Sequence, residues 1–117
     1  MRESIRDRER LQHILDSINR IHSKAPFLSV ESLTQDVLVY YGIVKNIEII
    51  GEAVYKLSKE FKETHPQTAW EDIEGMRHVL VHDYYQIQPE RVLHVIDNDL
   101  VPLKTQIEQY LSELNKQ

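Results

Sequence analysis

A chain of 117 residues, 41% of them hydrophobic, is long enough to bury one core and too short for two. It has no cysteine, which excludes disulfides, thiolate nucleophiles and cysteine-ligated zinc, and its net charge of -5 argues against a passive nucleic-acid coat while leaving room for a local basic cleft. No apolar run approaches the ~18 residues that span a bilayer, and the charged start from Met1 to Arg10 is not followed by the apolar core of a signal peptide, so we expect a soluble, cytoplasmic protein with no membrane contact. With 3 glycines, 4 prolines, no sustained β-branched alternation and no internal repeat, the composition reads as one all-α domain over 1–117.

The first stripe, Leu11, Ile14, Ile18 and Ile21, steps by three and four and predicts a helix over roughly residues 3 to 23. Lys24-Ala25-Pro26 closes it. Arg6, Arg8 and Arg10 read as a solvated first turn, interleaved as they are with Asp7 and Glu9, against the alternative of contacts to an RNA backbone.

Ser32 followed by Gln35 looks like a capping box that opens the next helix. From there Leu33, Val37, Tyr40, Ile43, Ile47, Ile50, Val54, Leu57 and Phe61 keep helical spacing, which predicts one spine of about 30 residues. Gly42 and Gly51 each cost roughly 1 kcal/mol in a helix interior, and close approach of another helix is the simplest reason for them. Glu48 and Glu52, one turn apart, read either as surface charge or as groups that reach over to hold an arginine of the next helix.

His65-Pro66 closes the spine. Thr68 with Glu71 reads as a second capping box that starts a helix near Ala69, with Trp70 packed in the core at its entry. This helix carries Gly75-Met76-Arg77-His78-Val79-Leu80-Val81-His82-Asp83-Tyr84-Tyr85. At about 100° per residue, Met76, Leu80 and Asp83 share one side, flanked by Ile73 and Val79, while Arg77, His78, Val81, His82 and Tyr85 share the other. A solvated face would carry Lys, Glu and Gln, so that second side has the composition of an interface or a site. Arg77 and His82 lie about 140° apart on an ideal helix, too far to act together on one small group. Packing Val81 against its twin across a two-fold axis would bring two copies of each into one cleft, which predicts a homodimer with a composite site.

Pro89 suits the first turn of a further helix, and Leu93, Ile96, Leu100, Leu103, Ile107, Tyr110 and Leu114 carry an apolar stripe to the end. Pro102 predicts a break or kink near Asn98-Asp99, and thus a fourth helix followed by a shorter fifth. The architecture expected is an antiparallel bundle of four to five helices with the motif helix against the spine.

Arg77, His82 and Tyr84 fill the spacing Arg-x4-His-x-Tyr, which resembles the signature of the HEPN superfamily and in particular its HepT-type toxins. Thr34-Gln35-Asp36, Asn46 to Ala53, Leu57-Ser58, Phe61-Lys62-Glu63, His65-Pro66, Trp70, Gly75-Met76-Arg77 and Asn98-Asp99-Leu100 look like the same family's framework, over roughly residues 5 to 110. One position departs from the pattern: His78 stands where a polar residue, most often asparagine, usually follows the arginine. The resemblance implies an HEPN-like bundle and an endoribonuclease that needs no metal and no cofactor. Its catalytic groups would be Arg77 and His82, supported by His78 and Glu52, and its substrate RNA. It further implies a toxin–antitoxin module in which an MNT-type nucleotidyltransferase antitoxin attaches AMP to Tyr84.

The residue types suit that chemistry. A histidine that titrates near pH 6.5 can take and return a proton at neutral pH, and arginine offers a planar fork to phosphate oxygens. Tyr84 lies about 20° from Arg77 around the helix, two turns on, where it could also simply cap the helix end; Tyr85 is the alternative acceptor of AMP. Two other readings stand beside the nuclease. His78 and His82 at i, i+4 could form half of a helical zinc site, which lacks an evident third ligand. A non-catalytic helical dimer that binds a nucleotidyltransferase fits the acidic net charge.

Overall fold

The structure, a computed structural model, describes residues 2–81 and 87–116, and the side chains of 6–76 and 87–116. Every regular element among them is helical. Helix α1 spans Arg2–Lys24 and runs into a 3₁₀ turn at Ala25–Phe27, as the Lys24-Ala25-Pro26 signal requires. The other helices are α2 (Val30–Gln35), α3 (Val37–Lys56), α4 (Lys59–Thr64), α5 (Trp70–Val81), α6 (Pro89–His94) and α7 (Leu100–Asn115), with a π-turn at Val95–Asp99 between the last two. The long α3 packs on both α1 and α5, α1 packs on α7, and α2 packs on α6. The apolar stripes meet in one core: Leu11, Ile14, Ile18 and Ile21 of α1 close on Ile47, Ile50 and Val54 of α3 and on Leu103 and Ile107 of α7. The result is an all-α, HEPN-like bundle.

The single spine of about 30 residues does not form. It is cut into α2, α3 and α4 because polar groups intercept the backbone at two points. At the first, the Asp36 carboxylate accepts the Val39 N–H at 3.2 Å and caps a new helix. The apolar spacing carries across that break except at Val37, which lands in the first turn of α3 and is exposed. At the second, Leu57 turns extended and Ser58 caps α4, its hydroxyl accepting the Phe61 N–H at 3.1 Å. The cause of this break comes from another helix. Asp7 of α1 accepts the Ser58 N–H at 2.8 Å and the Ser58 hydroxyl at 2.7 Å.

The N-terminal turn is therefore not simply solvated. Asp7 is buried, and Arg8 donates from Nη2 to the Leu114 carbonyl at 3.0 Å, answering an end carbonyl of α7. The capping box of α2 also sits three residues earlier than expected: Ser29 accepts the Ser32 N–H at 3.0 Å, and Ser32 accepts the Ser29 N–H at 2.9 Å. Close helix approach does not explain Gly42, since a Cβ built there would meet no heavy atom within 4 Å. Past α6 the expected break does occur. Pro102 has no N–H for the Asn98 carbonyl, and the chain widens into the π-turn. The order of lengths is the reverse of the expected one, with a 6-residue α6 before a 16-residue α7.

Asp7→Ala should lower the unfolding free energy by about 1.5–3 kcal/mol in urea titrations, the range for hydrogen bonds to a charged acceptor. Ser58→Ala should cost less, because the Asp7 bond to the backbone N–H survives.

Candidate functional site

Helix α5 carries the motif, and its position is set at the entry. Trp70 is buried and donates its indole N–H to the His65 carbonyl at 2.9 Å, closing residues 65–70 into a compact turn. Phe61 stacks on His65 with ring centroids 4.0 Å apart, and Tyr110 of α7 meets His65 edge-on at 4.6 Å. The His65 Nδ1 lies 2.8 Å from the Phe61 carbonyl, which can only accept, so Nδ1 carries the proton and Nε2 faces Glu113 at 3.8 Å.

Thr68 does not cap α5 as its spacing to Glu71 suggested. It is buried, and its hydroxyl donates to Gln106 Oε1 at 2.9 Å while also bonding the Tyr110 hydroxyl. Because Thr68 spends its one proton on Gln106, Tyr110 is the donor in the second bond. Burial pushes the Tyr110 phenol above its ordinary range, against the pull of the Thr68 bond and with a further push from Glu113, so this donor stays protonated. Gln106 completes the chain by donating from Nε2 to the Gln67 carbonyl at 3.2 Å. Four polar groups thus run in one direction from α7 through the turn and back.

From this anchored start α5 follows its stripe. Trp70 and Ile73 are buried, Met76 packs half-buried against the core, and Glu71 and Asp72 face the positive end of the helix dipole. Arg77 and His78 come next, with their backbone inside α5, which is helical to Val81. Their side chains, and all of His82, Tyr84 and Tyr85, lie outside the described residues, as does the Val81 side chain. The chain returns at Ile87, and the Gln88 N–H donates to the Tyr40 hydroxyl of α3 at 2.8 Å. Both flanks of the motif are therefore tied to the bundle, one to α7 and the other to α3. Neither tie was legible beforehand, since Thr68 read as a cap and Tyr40 only as part of an apolar stripe.

Of the α3 glutamates, Glu48 is half-buried and paired with Lys45 at 3.7 Å, the surface-charge reading. Glu52 is exposed one turn further along the helix that packs on α5. Among the described residues no group of three or more His, Cys, Asp or Glu is arranged to hold a metal ion. None of their helices is long and apolar enough to cross a membrane.

A hollow of about 280 Å³ opens beside the first half of α5, between it, the π-turn and the start of α7. Ile73 and Leu103, both buried, form its floor with Met76, while the exposed Asp72 and Asp99 stand at its mouth. Gln106, held by Thr68 and Gln67, forms part of its wall. Nothing in the sequence singled out this arrangement, because its two sides are about 30 residues apart.

Comparison with known proteins places this bundle in a class. A family model described as ribonuclease HepT-like matches residues 14–110, most of the chain, and the chain belongs to that family. It is 32% identical to a candidate RNase of Caldanaerobacter subterraneus subsp. tengcongensis over 103 residues, which cover 88% of this chain and 92% of the relative. It is 26% identical to a probable ribonuclease HepT of Thermococcus cleftensis over 99 residues, covering 85% and 90% of the two chains. A protein of Methanocaldococcus jannaschii named as a gamma-glutamylcyclotransferase and candidate RNase is 29% identical over 106 residues, which cover 91% of this chain and 48% of that one. No solved structure matches.

The polar chain at the α5 entry should be cooperative. Thr68→Val leaves the Tyr110 hydroxyl and the Gln106 amide short of partners in a buried site, at a cost of about 1–3 kcal/mol. Combined with Tyr110→Phe in a double-mutant cycle, it should show a coupling of about 0.5–3 kcal/mol in urea unfolding.

Proposed function

We propose that the protein is the toxin of a toxin–antitoxin pair, acting as a metal-independent endoribonuclease with a composite site at a homodimer interface. The observation that carries this is the family match over 14–110, which includes the Arg77-x4-His82-x-Tyr84 spacing. Arg77 binds oxygens of the scissile phosphate with its planar fork and offsets the charge that builds on them. His82 takes the proton of the ribose 2′-hydroxyl as its oxygen attacks phosphorus. The bond to the 5′-oxygen breaks, and that oxygen leaves with a proton supplied by an acid in the same cleft. Arg77 supplies the charge stabilisation and His82 the proton acceptor, and no step of the proposal is assigned to a metal or a cofactor. Glu52, on the helix that packs against α5, is read as the group that orients Arg77, and His78 as a supporting residue.

Val81 at the two-fold axis joins the copies in this reading, and each cleft draws on both chains. Tyr84 is the control point. A nucleotidyltransferase antitoxin transfers AMP to its phenolic oxygen with loss of pyrophosphate from ATP, and the attached phosphate then competes for Arg77 and fills the cleft. A non-catalytic dimer that only binds such a partner is the second reading, favoured by the net charge of -5.

RNA cleavage should persist in EDTA. It should fall by about 10²–10⁴ in His82→Ala and by about 10²–10³ in Arg77→Ala, the ranges for losing a general acid–base group and an electrostatic donor. Mixed dimers of the two variants should retain partial activity, and Val81→Glu should give a monomer mass by light scattering. Full activity in either homodimeric variant would leave only the binding module. Tyr84→Phe should cleave nearly as well as wild type yet take up no AMP by intact mass after incubation with the antitoxin and ATP; unchanged labelling would move the acceptor to Tyr85 or elsewhere.

A further inference from the structure

The hollow beside α5 joins an apolar surface to polar groups from several elements. Its floor is apolar, from Ile73, Met76 and Leu103, and its mouth carries two carboxylates from different elements, Asp72 on α5 and Asp99 at the end of the π-turn. Asp99 directly precedes α7 yet makes no capping bond, and neither carboxylate forms an ion pair among the described residues. Its amide groups, in contrast, are held in place. Gln106 is fixed by Thr68 and Gln67, and Asn98 of the π-turn donates from Nδ2 to the His94 carbonyl at 3.1 Å, leaving its amide oxygen to accept from elsewhere. A π-turn inside a helix is a local distortion often found at functional sites.

At about 280 Å³ the space lies just below the ~300–1,000 Å³ typical of pockets for drug-sized ligands, and has room for one ring system. The polar groups left open at it are mainly acceptors, which selects a ligand with N–H donors on the edge of an apolar ring. The carboxylates also repel phosphate. Asp72 lies five residues before Arg77 on the same helix, about 7.5 Å along its axis and about 140° around it. That separation is too wide for one small group and suits a nucleotide chain, whose base and phosphate are distinct parts.

We propose that this hollow is a base-binding subsite for unpaired RNA, selective for a base with an exocyclic amino group. The proposal rests on the ribonuclease reading and names how its substrate is held. The ring lies over Met76, whose thioether makes favourable contacts with aromatic edges, and the amino group donates to the Asp72 or Asp99 carboxylate. Single-stranded RNA offers its bases in this way, splayed out with the pairing edge free. Uracil is rejected because it presents a carbonyl oxygen where cytosine presents its amino group, and that oxygen would face a carboxylate.

Cytidine and uridine differ at that group and carry no phosphate, so they test the hollow apart from the arginine. In NMR titrations of the full chain, cytidine should shift the Asn98 and Gln106 side-chain amides and the Met76 methyl, and bind about tenfold more tightly than uridine. The preference should persist in Arg77→Ala and vanish in the double variant Asp72→Asn/Asp99→Asn, whose fold circular dichroism would verify. Equal binding of the two nucleosides, an unchanged preference in the double variant, or loss of binding in Arg77→Ala would each overturn the subsite. So would shifts caused by arginine amide but by neither nucleoside, which would assign the hollow to a basic protein segment. The two readings fail separately. RNA cleavage with no nucleoside response at these groups removes the subsite alone, whereas a cytidine-selective response in a chain that cleaves no RNA removes the nuclease and leaves the base site standing.

Discussion

The junction of residues 65–70 with α7 governs where the motif helix lies. A helix of twelve residues with one modest apolar stripe has little of its own to define its direction, and most helical stability comes from tertiary packing. Here the direction is imposed at the entry. The indole of Trp70 holds the His65 carbonyl, and the hydroxyls of Thr68 and Tyr110 with the Gln106 amide form a chain, buried at Thr68 and Tyr110, in which each hydroxyl proton has an assigned acceptor. Such a network rigidifies when complete and is costly when one member is lost. A displacement at this end would be carried along α5 toward Arg77, which makes the geometry of the proposed cleft depend on groups that touch no substrate.

The same logic operates on the far side of the motif. Tyr40 belongs to the apolar stripe of α3, and its ring is buried, yet its hydroxyl reaches the Gln88 N–H where the chain rejoins the bundle. Tyrosine serves this double use because its body is apolar and its tip is polar. With one flank of the motif tied to α7 and the other to α3, the proposed function assigns packing and chemistry to different faces of one short helix.

Charge is distributed in keeping with that division. An acidic chain that acts on RNA gains little from general attraction to phosphate and must rely on local contacts. In the function and subsite proposed above, a guanidinium for the phosphate and an apolar hollow for a base meet that requirement, with the carboxylates at the hollow's mouth disfavouring phosphate there. In this reading the acidic surface serves selectivity: it weakens binding to any RNA that presents only its backbone.

Periodicity by itself determined the all-α class, the buried faces and the position of the motif helix, because which side of a helix is buried is encoded in spacings of three and four residues along one segment. Leu11, Ile14, Ile18, Ile47, Ile50, Leu103 and Ile107 were legible in this way, and so was the distortion before Pro102, which follows from one missing N–H. The motif was legible as well, and with the framework around it so was the family. What only the tertiary structure decided are the places where distant polar groups meet. The spine breaks at Leu57 because Asp7, 51 residues from Ser58, takes up the backbone N–H and hydroxyl there. Thr68 abandons its local capping role because Tyr110, 42 residues on, offers a buried partner. The hollow exists only because Asp72 and Asp99 come from elements that the fold sets side by side. A local pattern cannot encode such meetings, since a hydrogen bond between remote residues depends on where the whole chain has placed both ends.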